Sequence, residues 1–377
     1  MKLKKYLYQI TNKLTFAQDS LFTVSVKEQK KFIMGLKEPR DLIERSYNQY
    51  LCQRWLKRGY INLFTDLMSI PLIVYFLLKK SDKLSVSEHH RGICIGIADN
   101  LVPGKLEREY EDILHVDGAA ERLTKADKKV IRKLIRRYPL SFEFILKCLI
   151  KVRMYRWIID KYSPIAIIVS SEYSYTSSFL TYYCRNNNVK HINIMHGEKL
   201  YYIRDSFFKF DKFYIWDSYY EKLFIQLRAC SSQFETAVPP SLMLCGSYVK
   251  KYDFTYYLGG EQKETLACIR DMLMRLKSKG YQVAVRPHPR YSEMKWIDEL
   301  FQGKIDVEYP EQTGIEESIL RTEHVVSLYS TVINQALNSG VNAVIDDISD
   351  ARRYKLLHEL EYRFVMNKST LLVSQMI

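Results

Sequence analysis

The sequence predicts an α/β protein: two Rossmann-like halves facing a cleft, behind a helical N-terminal region. Three observations carry this prediction. Short aliphatic and β-branched runs recur between segments of helical period, as at 91–97, 164–169 and 189–195. Strands alternating with helices in this way build parallel sheets. Several runs end in loops rich in polar chemistry, where open parallel sheets bind ligands. A chain of 377 residues with 47% hydrophobic content has room for two packed cores.

Taken in order, residues 1–90 read mostly as helix, with 27–37 and 41–60 mixing apolar and basic positions at helical spacing. The longest apolar stretch, 67–78, reads as too short to cross a bilayer. The basic start at 1–5 has no continuous apolar segment behind it, so no signal peptide is expected. Residues 91–97 form a buried strand with 99–104 as its exit loop. The segment 121–160 is helical and strongly basic, with Lys125, Lys128, Lys129, Arg132, Lys133, Arg136 and Arg137. Next, 164–169 is a strand, Ser170 and Ser171 offer an N-cap, and a helix runs to about 184. Asn186-Asn187-Asn188 stops it. The strand at 189–195 ends in His196-Gly197-Glu198, and 212–216 is a short strand before a helix at 219–229.

Ala237-Val238-Pro239-Pro240 reads as a linker. Beyond it, 242–245 is assigned as a strand closed by Gly246-Ser247. A helix at 260–279 stops at Gly280, and 281–285 is a strand running into Arg286-Pro287-His288-Pro289-Arg290. Short strands follow at 305–308, 324–327 and 341–345, with helices at 315–320 and 331–337. The expected domains are a helical region 1–90, an acceptor half 91–238 and a nucleotide-donor half 239–377.

The formal net charge is +14. Such a balance suits nucleic acid, an anionic membrane surface or phosphorylated substrates. No zinc-finger spacing or RNA-recognition motif is present, so nucleic acid is not the expected partner. Seven scattered cysteines without a CxxC pair suggest free thiols in a reducing compartment. The expected location is the cytoplasm. The basic, Tyr-rich surface leaves contact with the inner face of the cytoplasmic membrane open.

The strand end at Arg286-Pro287-His288-Pro289-Arg290 carries the most chemistry. Proline fixes φ and biases its predecessor to extended backbone. One imidazole is thereby held at a strand's carboxyl end between two arginines, suited to a leaving phosphate. Ser330 and Thr331 open a helical run and suit an anion, although an ordinary N-cap explains them as well. In the first half, His196 or Glu198 is a candidate base at a strand exit that glycine permits to turn sharply. Glu172, in the first turn of the expected helix, is a third candidate. Asp99 and Asn100 occupy an equivalent strand end. Gly246 and Ser247 open the donor half near the expected nucleotide. No Asp-x-Asp triplet marks a metal clamp; Asp346-Asp347 has a different spacing.

At these residues the chain resembles bacterial surface-polysaccharide transferases of the GT-B type: sialyl- and polysialyltransferases, Kdo transferases and CDP-glycerol polyol-phosphate transferases. The resemblance runs from about 162 to 345. His288-Pro289 matches their HP motif, Ser330-Thr331 their Ser-Ser/Thr pair, and His196-Gly197 a strand-end His-Gly. It implies a metal-independent glycosyltransferase, with no cofactor beyond its nucleotide-sugar donor and with a glycan or lipid-linked glycan acceptor. The donor it implies is a CMP-linked nonulosonic acid; a CDP-polyol or a UDP- or GDP-sugar is the alternative. A non-catalytic, membrane-associated assembly scaffold is the non-enzymatic alternative. The donor phosphate would meet His288, Pro289, Arg286, Arg290, Ser330 and Thr331. The acidic Gly motif of polysialyltransferases is missing, which leaves the base open among Glu172, His196 and Glu198. In polyol-phosphate transferases the His-Gly histidine is the expected base.

Overall fold

A computed structural model describes residues 24–79 and 88–377. The basic start at 1–5 lies outside the described residues. The chain divides into two compact units: Met1–His196 with Tyr201–Ala237, and Gly197–Leu200 with Val238–Ile377.

Among the described residues, the first unit begins with helices α1 (Val26–Gly35), α2 (Leu42–Leu56) and α3 (Gly59–Leu78). Ser25 and Asp41 cap the first two by accepting the amides of Glu28 and Glu44, which satisfies donors that a helix start leaves open. Helix α3 is 20 residues long and apolar enough to cross a membrane by length and composition. The shorter apolar stretch read from the sequence is therefore corrected. Asn62, Asp66 and Ser69 interrupt the linear run but share one helical face with Ile73.

Six strands follow: β1 (Gly92–Ile95), β2 (Ile113–Val116), β3 (Ala166–Val169), β4 (Lys190–Ile194), β5 (Lys212–Ile215) and β6 (Phe234–Thr236). All pair in parallel, in the order β2-β1-β3-β4-β5-β6. The helices between them are α4 (Gly104–Tyr110), α5 (Lys125–Arg137), α6 (Phe142–Tyr162), α7 (Ser177–Arg185) and α8 (Ser218–Gln226). All four residues of β3 are buried. That explains a continuous apolar run rather than an alternating one. The chain adds β2 on one side of β1, then returns to add β3 on the other. Ligands bind at such a switch in direction.

The second unit has its own parallel sheet. Its strands are β7 (Tyr252–Tyr257), β8 (Val283–Arg286), β9 (Asp306–Val307), β10 (Thr322–Ser327), β11 (Asn342–Ile345) and β12 (Leu371–Leu372), ordered β12-β11-β10-β7-β8-β9. Helices α9 (Lys263–Ser278), α10 (Met294–Phe301), α11 (Ile315–Leu320), α12 (Thr331–Asn338), α13 (Ala351–Glu359) and α14 (Arg363–Met366) connect them. Phe254, Tyr256, Ile269, Leu273, Val285 and Val326 form the core on one face of this sheet. Truncating a fully buried Leu273 to Ala would cost roughly 2–5 kcal/mol. The α/β architecture with two Rossmann-like units is thus present.

The strand expected at 242–245 is not formed. Pro239 and Pro240 set up a short 3-10 turn, Pro240–Leu242, and the chain stays irregular until β7. The strand role passes to Tyr252–Tyr257, whose Tyr-Asp-Phe-Thr start disguises a largely buried element.

Candidate active-site residues

In the first unit, Ser170, Ser171 and Glu172 leave β3 beside the switch between β1 and β3. They form a loop, because α7 begins only at Ser177. The hydroxyls of this segment explain the delay. Ser177 Oγ donates to the Ser171 carbonyl at 2.6 Å, and Ser174 Oγ meets Thr176 Oγ1 at 2.9 Å. Such local bonds compete with the helix. Glu172 is therefore not in a first helical turn, and the helix-dipole argument for it lapses.

His196 follows β4. Its Nδ1 is hydrogen-bonded to Ser170 Oγ, and Glu172 Oε1 lies 3.9 Å from the same nitrogen. The imidazole keeps 43% of its side chain exposed, whereas Glu172 has none. Glu172 is anchored from below: Asn193 Nδ2 donates to its Oε2 at 2.9 Å, and Asn193 Oδ1 accepts the Ser171 amide at 2.7 Å. Helix α2 holds the same loop from outside. Gln49 Nε2 donates to the Glu172 carbonyl at 2.8 Å, and Gln53 Nε2 to that of Tyr173 at 2.7 Å. Asn193 and Gln49 were not evident in the sequence. Asn193 sits inside an apolar strand and is fully buried, and a buried amide there calls for a polar partner. This was the available signal. Asp99 lies apart, paired with His115 at 3.1 Å.

Glu198 belongs to the second unit. Its Oε2 accepts from Asn334 Nδ2 of α12, and its carbonyl accepts from Tyr329 Oη at 3.1 Å. The carboxylate is nearly buried there. Gly197, at φ +69°, has a conformation glycine favours. A Cβ built on it would lie 4.0 Å from Thr331 Oγ1.

At the carboxyl end of β8, His288 is half-buried. Its Nδ1 accepts the Arg290 amide at 3.1 Å, its own amide donates to Ser292 Oγ at 2.8 Å, and Ser292 Oγ donates to the Gly259 carbonyl at 3.0 Å. Burial first, and the Arg290 charge second, push its pKa below the ordinary histidine value. A neutral imidazole whose Nδ1 accepts must carry its proton on Nε2. His288 therefore presents an N–H donor. The Tyr291 ring packs against it at a tilt, with ring centroids 4.4 Å apart.

The two arginines separate in role. Arg290 and Pro289 are exposed. Arg286 is buried, donates through Nη2 to the Thr313 carbonyl at 2.8 Å, and has an Nη1 without a hydrogen-bond partner. Ser330 caps α12 by accepting the Val332 amide at 3.2 Å, so the N-cap reading holds for its hydroxyl. Strands β8 and β10 flank β7, which spaces their ends about 10 Å apart. Between them, at the β7/β10 switch, lies Gly259-Gly260-Glu261. Both Glu261 carboxylate oxygens accept the Gly259 amide at 2.8 and 2.9 Å, and burial raises its pKa. This loop was missed because β7 itself was missed. Gly246 and Ser247 are exposed on the irregular segment before β7, not at a strand end.

No protein-family model matches this chain, and no curated protein matches it. Among solved structures it is similar to a variant of the wall teichoic acid polymerase TagF, at 10% identity and TM-score 0.43 over 84% of this chain and 86% of that one. It is similar to UDP-N-acetylglucosamine 2-epimerase from Rickettsia bellii, at 10% identity and TM-score 0.44 over 76% and 92%. It is also similar to TarM, at 10% identity and TM-score 0.36 over 56% of this chain and 46% of that one, so it spans a little under half of TarM's length.

Proposed function

We propose that this protein is a glycosyltransferase of bacterial surface-polysaccharide assembly, moving a sugar from a nucleotide donor to a hydroxyl of a glycan acceptor. The observation that carries the reading is the arrangement around His196. Ser170 and Glu172 both occupy its Nδ1 side. With the proton on Nδ1 donated to Ser170 Oγ, the half-exposed ring takes the acceptor's proton on Nε2. The imidazolium that forms is stabilised by the Glu172 carboxylate behind it. Glu172, being fully buried, acts through His196, and Glu198 serves structure.

The acceptor oxygen then bonds to the anomeric carbon as the bond from that carbon to the donor phosphate breaks, with oxocarbenium character by analogy with glycoside cleavage. The electron pair leaves on the phosphate oxygen. The His288 N–H, the Arg290 guanidinium and the start of α12 at Ser330 and Thr331 suit that charge. Arg286 supports the loop from beneath.

The resemblance favours a CMP-linked nonulosonic acid as donor. A second reading, transfer of a polyol phosphate from a CDP donor, is supported by one observation. The imidazole of the His-Gly pair is the most open of the three candidate bases. Transfer assays with CMP-sialic acid, CMP-Kdo, CDP-glycerol and UDP-sugars would test both readings. Turnover with one donor that is lost in His196→Ala supports the account. Turnover unchanged in His196→Ala removes it.

A further inference from the structure

Helix α3 is built inside out. Its buried residues are Asn62, Asp66, Ser69 and Ile73, at a spacing that places them on one helical face. The polar members are engaged there. Asn62 Nδ2 donates to the Arg54 carbonyl at 3.0 Å. Asp66 accepts from Arg54 Nη1 at 2.5 Å and from the Glu143 amide at 3.0 Å. Ser69 Oγ donates to the Thr65 carbonyl at 2.6 Å. The opposite face is apolar and open: Leu63, Phe64, Leu67, Met68, Val74 and Leu78 are each 51–75% exposed. A surface helix in water shows the reverse pattern, and so large a continuous apolar patch marks an interaction site.

The ends of the helix indicate what covers that face. Arg58 precedes it and Lys79 follows it, both exposed. Tyr60 and Tyr75 are 57% and 54% exposed. Cations and amphipathic rings at both ends of an apolar face suit the headgroup boundary of a bilayer, and the net charge of +14 suits anionic lipid. A protein partner would more often offer carboxylates at the rim and polar groups for Asn62 and Asp66. Asn62 Nδ2 and both Asp66 carboxylate oxygens are already engaged within the unit. Their bonds to α2 and α6 also fix the helix lengthwise against the protein, a placement that suits lying along a bilayer surface and not crossing it.

We propose that α3 is an in-plane anchor whose outer face enters the headgroup–acyl boundary of an anionic phospholipid bilayer. This differs from a purely electrostatic contact through the basic α5, whose Lys129, Arg132 and Lys133 are exposed but offer no apolar face of comparable size. The inference stands on α3 alone and does not depend on the transferase reading.

The test is sedimentation of the full chain with vesicles of phosphatidylcholine, with and without a quarter phosphatidylglycerol. The parent should bind the anionic vesicles and keep most of its binding in about 1 M salt, where screening acts over about 3 Å. The double variant Phe64→Glu/Leu67→Glu should bind about tenfold or more weakly. It should melt like the parent, because both side chains are exposed. Three outcomes overturn the inference: equal binding by a folded double variant, binding that vanishes in high salt, or no binding by the parent. In the last case, a dimer that the double variant abolishes in sedimentation velocity would assign the face to a second copy.

Discussion

The hydroxyl of Ser170 is hydrogen-bonded to Nδ1 of His196, and the Glu172 carboxylate stands 3.9 Å from the same atom. Two strand ends on either side of one interstrand groove thus meet at Nδ1 of an imidazole that keeps 43% of its side chain exposed. A structural histidine in a core looks different. His191 is fully buried, held by Thr181 Oγ1 at 2.8 Å and Tyr155 Oη at 2.9 Å.

His196→Ala should lower kcat by about 10²–10⁴-fold, the usual yield of a positioned base. The donor KM should stay close to the parent's, because the donor-phosphate contacts are assigned to His288 and α12. Glu198→Gln should instead weaken the Asn334 contact, lowering the melting temperature more than kcat. Steady-state kinetics and melting curves on both variants separate the two roles.

Asn193 stands two contacts from His196, through Glu172. Asn193→Ala would leave the Ser171 amide and Glu172 Oε2 without this partner in a buried place, costing roughly 1–3 kcal/mol. It should also lower kcat through a misplaced Glu172 and His196 while the donor KM holds. Asn193→Asp should be worse, since it sets a second buried carboxylate beside the first. A melt and a kcat–KM comparison check both.

His288 should hold the donor phosphate as a neutral N–H donor. His288→Ala should cost about 10–100-fold in kcat/KM for the donor, the worth of one hydrogen bond to a charged group. Its depressed pKa has a pH consequence. The folded state binds this proton less well than the unfolded chain does, so the stability it contributes is complete above about pH 6.5 and declines as pH falls through the folded value. Donor affinity should therefore show no histidine-linked change from about pH 7 upward. A titration of KM against pH reads this directly.

Acid should unfold the first unit through His191. Burial, reinforced by Lys151, pushes its pKa down to about 3. The folded value lies below the unfolded one, so stability is full above about pH 6.5 and falls as pH drops toward 3. The loss is on the order of several kcal/mol. Melting temperature measured from pH 7 to pH 4 should decline steeply in the parent and less in His191→Gln.

The sequence exposed those parts of the fold in which local pattern and environment agree. The aliphatic runs of β3, β4, β8 and β10 are buried strands, and Arg286-Pro287-His288-Pro289-Arg290 does end one. It concealed parts where an element is polar but buried. Tyr252–Tyr257 carries Asp253 and three tyrosines, and a neighbouring Leu-Met-Leu-Cys run drew the strand assignment instead. The support beneath His196 was not legible because Asn193 and Gln49 meet Glu172 across long sequence separations. Helix α3 was underestimated because its polar residues look like interruptions along the chain, yet in the helix they gather on one face.

The most direct measurement of the central claim is a thermal-shift panel with CMP, CDP, UDP and GDP on the parent, His196→Ala and His288→Ala. A ligand that binds only the folded state raises the melting temperature by mass action. The account predicts that one nucleotide stabilises the parent and His196→Ala alike and stabilises His288→Ala much less. Stabilisation by none of the four, or by one equally in all three proteins, would contradict it.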